Sequence, residues 1–136
     1  MKYWLMKVEP AAYSIDDLMR DSTTKWEGVR NFQARNFMRD EMRAGDKVLF
    51  YASNADPSGV TGLAEVSKEA VPEPKDTTWV MVEIRFVAKF PQTVSLETLK
   101  NTKGLENMVV TKKGSRLSIQ PVTKGEYEIV VKMGKM

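Results

Sequence analysis

The segment at residues 25–36, KWEGVRNFQARN, holds the densest group of side chains in this sequence that could recognise a ligand. Within twelve positions it places one Trp, two Arg, two Asn and one Gln. In nucleic-acid-binding proteins an aromatic ring stacks on a base, an amide bonds to the base edge and a guanidinium contacts the backbone. The same residues also fit a loop with a buried Trp26 and with Asn31 as a helix cap, which is the commoner use of such residues. This segment alone leaves both interpretations open.

Two further segments combine polar side chains with turns. Residues 112–121 carry three cations around a glycine, where Arg116 and backbone N–H groups could hold an anion. A basic hairpin connection is the commoner role of such a turn. Residues 50–59 end a predicted strand in a polar loop, so Tyr51 and Ser53 either face a cleft or close a turn.

One edge of a predicted helix carries Arg35, Arg39 and Arg43. Like charges four residues apart destabilise a helix by a few tenths of a kcal/mol per pair, which a bound phosphate would relieve. Asp40 and Glu41 are close enough to offset the same repulsion. A solvated helix face is therefore the simpler interpretation.

Catalysis has few candidate residues in this chain. It contains no Cys and no His, which excludes thiol nucleophiles, imidazole-based triads and the common zinc sites. No GxxxxGK[ST] or GxGxxG motif occurs. Glu9 and Glu27 are acidic, but the sequence pairs neither of them with a second group across a site. These absences favour binding over catalysis, although carboxylates could still hold a hard cation. We predict a site without metal or cofactor.

Length and composition are those of one globular domain over residues 1–136. The chain is 42% apolar and carries a formal net charge of +3, which permits a nucleic-acid partner without requiring one. No stretch approaches the roughly 18 apolar residues of a membrane helix, and the start lacks the layout of a signal peptide. Together with the absence of Cys, this predicts an intracellular protein, cytoplasmic if the source is bacterial, that is not secreted and has no membrane partner. The oligomeric state is left open, with a monomer assumed.

Strands and short helices are predicted in no strict alternation, which indicates an α+β fold with a barrel-like sheet. Strands are expected over residues 2–9, 46–52, 59–67 and 79–90, with strand-like stretches at 108–111 and 117–121. Helices are expected to begin after caps at Ser14, Asn31, Ser95 and Thr123. The second helix is expected to end before Gly45. In the last element Ile129-Val130-Val131 favours a strand, but a capping box at Thr123 and Glu126 favours a helix, which is our prediction.

Several of these segments together resemble the EVE domain family. The similarity runs in order from about residue 2 to the C-terminus, and its most specific strings are WEGVRNFQARN and GSRLSIQPV. The matching segments are residues 3–10, 13–18, 26–36, 59–66 and 114–122. The resemblance implies a PUA-like fold: a curved β-barrel of about five to six strands with short helices packed around it. It also implies a non-enzymatic module that reads a modified, flipped nucleobase, with modified cytosine or adenine in DNA expected before RNA.

The resemblance also implies a role for individual residues. Trp26 would wall the base pocket, Asn31 and Gln33 would bond to the base edge, and the remaining pocket residues would be Tyr51, Ser53, Ser118 and Gln120. The residues expected to hold phosphates are Lys7, Arg30, Arg35 and Arg116.

The sequence departs from the family pattern at three places near this pocket. Val8 stands where members often have Ser, and Ala52 stands where they often have His. The connection from Pro74 to Trp79 is also short, whereas many members have a longer aromatic-rich insertion there. The shorter connection predicts a more open pocket with an altered base preference.

Three alternatives to modified-base recognition follow from the same residues. An RNA-binding module would use a basic surface formed by Arg35, Arg39 and Arg116. A metal-dependent hydrolase acting on modified nucleotides would use Glu9 or Glu27 with Mg²⁺. A protein-interaction module would retain the pocket without using it.

Overall fold

The computed structural model describes residues 1–112 and 116–135. The six strands are β1 (Tyr3–Val8), β2 (Thr23–Trp26), β3 (Lys47–Ala52), β4 (Gly59–Pro72), β5 (Val80–Ser95) and β6 (Ile119–Val122). The helices are α1 (Ile15–Asp21), α2 (Phe32–Asn36), α3 (Leu96–Lys100) and α4 (Lys124–Gly134), with a π-helical turn at Phe37–Glu41 and a 3₁₀ turn at Val109–Thr111.

All six strands form one mixed sheet in the order β2-β5-β4-β3-β1-β6. β1 and β3 are parallel, and the other neighbouring pairs are antiparallel. The sheet is strongly curled. Strands in a flat sheet lie about 4.8 Å apart, so β2 and β3 would be separated by about 14 Å. Instead the rings of Trp26 on β2 and Phe50 on β3 lie edge to face with centroids 5.9 Å apart. Register shifts along β4 and β5 supply the bends that this curvature needs.

The curled sheet separates two hydrophobic clusters. The inner cluster receives side chains from every strand, together with Ile15 and Leu18 of α1. The outer cluster is formed by the opposite faces of the strands and is covered by α3, the 3₁₀ turn and α4. Gly62 lets α1 approach the sheet, because a Cβ at this position would lie 2.8 Å from the Ile15 side chain. The second glycine of the GVTG string is therefore a packing requirement.

The predicted helix starts are confirmed. The side chains of Ser14, Asn31, Ser95 and Thr123 each accept a hydrogen bond from a backbone N–H in the first turn of their helix. The last element is a helix, as its capping box at Thr123 and Glu126 predicts, although it contains the β-branched run at residues 129–131.

One local prediction was wrong, and one strand was missed. Residues 109–111 form a 3₁₀ turn instead of a strand, because it buries Met108 and Val110 in the outer cluster. β2 is absent from the predicted strands, since four residues are too few to show an alternating pattern. The helix after Asn31 ends before Gly45, as predicted, but its last residues, Phe37–Glu41, form a π-helical turn. The predicted turn at residues 113–115 lies outside the described residues. Within the described part of the chain, no helix has the length and apolar character needed to span a membrane.

Candidate functional site

One cavity lies where the two ends of the curled sheet approach each other. It has a volume of about 410 Å³, and we call it the seam cleft. β1 contributes Lys7 and Val8, edge strand β2 contributes Thr24 to Trp26, and Ser118 reaches it from just before the other edge strand, β6. The rest of the lining comes from Ala12, Tyr13 and residues 27–30. The curl of the sheet thus creates the cleft from segments that are distant in the sequence.

A second cavity of about 970 Å³ adjoins the seam cleft. The two share Lys7, Val8 and Ser118. The second cavity adds Ser53, Arg116 and further polar residues, namely Glu9 and Asn54. A small ligand in the seam cleft could therefore remain connected to a longer polar molecule outside it.

Trp26 is both a wall of the seam cleft and part of the inner core. Its side chain is 8% exposed, and its ring lies against Phe50. Tyr13 and Val29 add apolar surface to the cleft wall. A flat apolar ligand would find an aromatic contact here, held rigidly by the core.

Lys7 supplies a cation to both cavities. Its ammonium nitrogen lies 5.8 Å from the centroid of the Tyr51 ring, a cation–π contact. Burial lowers the pKa of Lys7 and raises the pKa of Tyr51. Among the ion pairs of the described residues, none involves Lys7. An anion or a strong hydrogen-bond acceptor on a ligand would therefore be favourable beside it.

Arg30 is held at the mouth of the cleft by Glu73. Its Nη1 and Nη2 donate to the two carboxylate oxygens over 3.0 and 2.9 Å, and the Gly28 N–H donates to Oε2 over 3.1 Å. Gly28 has a φ of +80°, which its lack of a Cβ permits. The hydrogen bond from Arg30 is the main cause of the lowered pKa of Glu73. This network fixes the loop that carries the cleft residues 27–30.

We expect Glu73→Gln to reduce the free energy of unfolding by about 1 kcal/mol at pH 7, since Arg30 is half exposed. Because the pKa of Glu73 is lower in the folded state, its contribution is present above the usual value of 4.5 and decreases as pH falls through the lowered pKa. Urea unfolding of both proteins should therefore show a difference at pH 7 that shrinks at pH 3. Glu128→Gln, in an exposed pair 3.9 Å long, should have little effect. A difference independent of pH would assign the effect to packing.

The seven residues expected in the base pocket are distributed over several places. Trp26 and Ser118 line the seam cleft, and Ser53 lines the adjoining cavity. Asn31 and Gln33 line a third cavity of about 480 Å³ together with Arg116.

The other two expected pocket residues are buried. Tyr51 is 3% exposed and belongs to the outer cluster. Gln120 is 1% exposed, and its side-chain amide donates to the Leu117 carbonyl over 2.8 Å. Neither is among the described lining residues of the seam cleft.

The four expected phosphate contacts are also separated. Lys7 and Arg30 line the seam cleft, and Arg116 lines the two neighbouring cavities. Arg35 lies over the rings of Phe32 and Trp79, outside the described lining of these cavities.

Sequence reasoning missed Tyr13 and Thr24 as cleft residues. Tyr13 had a usable signal, since it stands directly before the helix cap Ser14 in a string shared with the family. Thr24 had none, because β2 itself was not predicted. Of the two single-residue departures from the family pattern, Val8 lines both cavities, whereas Ala52 is buried beside it in the β1–β3 register.

The acidic residues are not grouped. Glu27 lines the seam cleft and Glu9 the adjoining cavity. In the described ranges, no three acidic side chains are close enough together to hold a metal ion. On the helix edge, Arg39 pairs with Asp40 over 2.8 Å and Arg43 donates to two backbone carbonyls. Both arginines are therefore used within the protein.

A mixed sheet of six strands, curled around one core and covered outside by short helices, is an α+β fold of the PUA-like class that the sequence predicts. The profile described as EVE domain matches residues 2–133, and the chain belongs to this family. Human thymocyte nuclear protein 1 is 36% identical over 96% of this chain and 73% of its own length.

Several solved structures are similar over nearly the whole chain, among them one from Pseudomonas syringae and one human protein. A Pseudomonas syringae protein has a TM-score of 0.91 and 37% identity, covering 96% of this chain and 98% of that one. The human THYN1 protein in complex with DNA containing 5-methylcytosine has a TM-score of 0.89 and 33% identity, covering 100% of this chain and 99% of that one.

Proposed function

We propose that this protein binds nucleic acid carrying a modified base, DNA before RNA, and accepts that base, flipped out of its stack, in the seam cleft. The observation that carries the proposal is a cavity of about 410 Å³ walled by Trp26. This volume falls within the range of about 300–1,000 Å³ that is typical of small-ligand pockets. The similar human structure that holds 5-methylcytosine DNA supports modified cytosine as the ligand class.

The lining of the cleft suits a modified base in two ways. Tyr13, Trp26 and Val29 offer apolar surface to a ring and to a methyl substituent. Thr24 and Ser118 offer hydroxyls to the base edge. Extruding a base costs a few kcal/mol, and stacking on an aromatic side chain returns about 1–3 kcal/mol per base.

Cations around the cleft would hold the strand. Lys7 would bind a phosphate or an acceptor on the base, and Arg116 would bind a phosphate beyond it. Asn31 and Gln33 would contact the strand on the far side of Arg116, in the third cavity. Ser53 would contact it in the adjoining cavity.

Tyr51 and Gln120 are buried, so they would support binding by positioning other residues. Tyr51 would position the Lys7 ammonium above its ring. Gln120 would position the segment before β6 through its bond to Leu117. The protein would bind the base without changing it, and without a metal or cofactor.

The test is a titration of short duplexes that carry a single 5-methylcytosine, 5-hydroxymethylcytosine or N6-methyladenine, beside the unmodified duplex. We expect about a tenfold or greater preference for one modified duplex, the usual contribution of one methyl group in an apolar pocket. Ser118→Ala should weaken that complex by about 2- to 10-fold, the contribution of one hydrogen bond. Ser67→Ala, which removes a hydroxyl bonded to Glu83 on the sheet, is the control and should bind normally.

Equal affinity for all four duplexes would overturn the proposal. Tighter binding of structured RNA than of any duplex, with a steep salt dependence, would favour the RNA-binding alternative.

A further inference from the structure

An exposed aromatic stack stands beside the seam cleft. Phe32, the first residue of α2, is 58% exposed, although its ring stacks on Trp79 with centroids 4.9 Å apart and an interplanar angle of 27°. The guanidinium of Arg30 lies 5.1 Å from the Trp79 ring centroid, and that of Arg35 lies 4.9 Å from the Phe32 centroid. We call these four residues the aromatic platform.

Packing within the protein does not explain why the Phe32 ring is left exposed. Trp79 is partly covered by Phe32 and the two guanidinium groups, but more than half of Phe32 remains in solvent. A single exposed apolar side chain is ordinary. An exposed ring backed by a second ring and flanked by arginines is the arrangement on which nucleic-acid bases stack.

The two arginines of the platform differ in charge balance. Arg30 is neutralised by Glu73. Arg35 donates only to neutral oxygens, those of the Asn36 side chain and the Thr78 carbonyl, and no acidic group of the described residues forms an ion pair with it. Asp40 interacts with Arg35 through space but forms its ion pair with Arg39. The platform therefore carries one guanidinium without an ion-pair partner beside an exposed ring, which complements a nucleotide.

Arg30 connects the platform to the seam cleft. Its side chain lines the cleft and also lies over the Trp79 ring. Only the Arg30 side chain would thus separate Phe32 from a strand with one base in the cleft. When a base leaves a stack, the neighbouring base loses its stacking partner on that side, and apolar side chains commonly fill such gaps.

We propose that the aromatic platform is a second nucleotide site: Phe32 stacks on the base next to the flipped one, and Arg35 binds a phosphate of the same strand. The position of this site along the strand rests on the proposed function of the seam cleft. The stacking and charge of the platform are independent of the modification on the flipped base.

The test combines Phe32→Leu with abasic substitutions in the modified duplex that the protein prefers. Phe32→Leu keeps an apolar side chain but removes the ring, and Phe32→Tyr keeps the ring as a control. Thermal unfolding verifies that each variant folds. We expect Phe32→Leu to weaken binding by about 5- to 100-fold, the range for loss of one base stack, whereas Phe32→Tyr binds like the wild type.

An abasic nucleotide locates the contact. Placed directly beside the modified base on one side, it should weaken the wild type by a similar factor and leave Phe32→Leu almost unaffected. An abasic nucleotide four positions away should weaken both proteins equally. The slope of log K against log salt is negative, and Arg35→Gln should reduce its magnitude by about 0.9, the value for one phosphate contact.

The outcomes separate the two proposals. If the platform proposal is wrong, folded Phe32→Leu binds every duplex like the wild type, or its loss is the same whichever nucleotide is abasic. If the cleft proposal alone is wrong, modified and unmodified duplexes bind equally, while Phe32→Leu still weakens both and an abasic scan of the unmodified strand still locates a stacked base.

Discussion

Trp26→Ala is expected to abolish the preference for a modified duplex and to lower the free energy of unfolding by about 3–5 kcal/mol. Both effects have one cause, because the same ring walls the seam cleft and packs edge to face against Phe50 in the inner core. Removing it deletes the stacking surface and leaves a cavity in the core. The preference is measured by titration at low temperature, where the variant remains folded, and stability is measured by urea unfolding.

Two further variants separate binding from stability. Trp26→Phe keeps an aromatic wall, so it should lose about 1–2 kcal/mol of stability and retain part of the preference. Trp4→Phe is the matched control, since Trp4 is fully buried in the same core away from the cleft lining, and it should destabilise the protein without altering the preference. A folded Trp26→Ala protein that still distinguishes modified from unmodified DNA would contradict the assignment of this ring to the base.

The elements that local chemistry determines could be predicted from the sequence. Each helix cap is one polar side chain bonded to the backbone within three residues, so the pattern around Asn31 or Thr123 is sufficient to locate it. The long strands β4 and β5 show their alternation over many residues. β2 was missed, and the 3₁₀ turn was predicted as a strand. Tertiary packing determines both elements, and the local sequence carries no pattern for either.

The curl of the sheet determines which residues line the seam cleft. No local sequence pattern reveals this curl, so the lining could not be predicted in full. Trp26 and Ser118 lie near opposite edges of the sheet order and meet only because the sheet bends. Tyr51 shows that a residue assigned to the pocket by family resemblance can lie on the other face of its strand. Phe50 faces the inner core, and alternation turns Tyr51 to the outer cluster, behind Lys7 instead of into the cleft.

The lack of His and Cys limits which chemical groups can line the seam cleft. Without imidazole or thiol groups, the described lining of the seam cleft offers hydroxyls, cations, aromatic rings and the carboxylate of Glu27 to a ligand. At the position where family members often have His, Ala52 is buried next to Val8, which lines the cleft. The loss of the imidazole therefore lies behind the cleft wall.

The largest stability effect outside the site is expected at Asp46, which is 3% exposed and accepts hydrogen bonds from three donors. Its Oδ1 accepts from the Lys2 N–H, and its Oδ2 accepts from the Trp4 indole N–H and the Arg43 N–H, each over 3.0 Å. These bonds tie the beginning of β1 to the segment between the π-helical turn and β3. The sequence showed Asp46 only as the polar start of an apolar strand.

We expect Asp46→Ala to lower the free energy of unfolding by about 3 kcal/mol or more, since three donors lose their acceptor at about 1–3 kcal/mol each. Asp46→Asn replaces one of the two acceptor oxygens with an NH₂ group, so it should cost less than Asp46→Ala but still leave a donor unpaired. Asp76→Asn is the control, because Asp76 is exposed and its Oδ1, which accepts from the Thr78 N–H, can be retained. Urea unfolding with an unchanged m-value would assign the loss to the folded state. A loss below about 1 kcal/mol in Asp46→Ala would mean that water reaches the three donors, and that the junction between β1 and β3 is less tightly closed than its burial indicates.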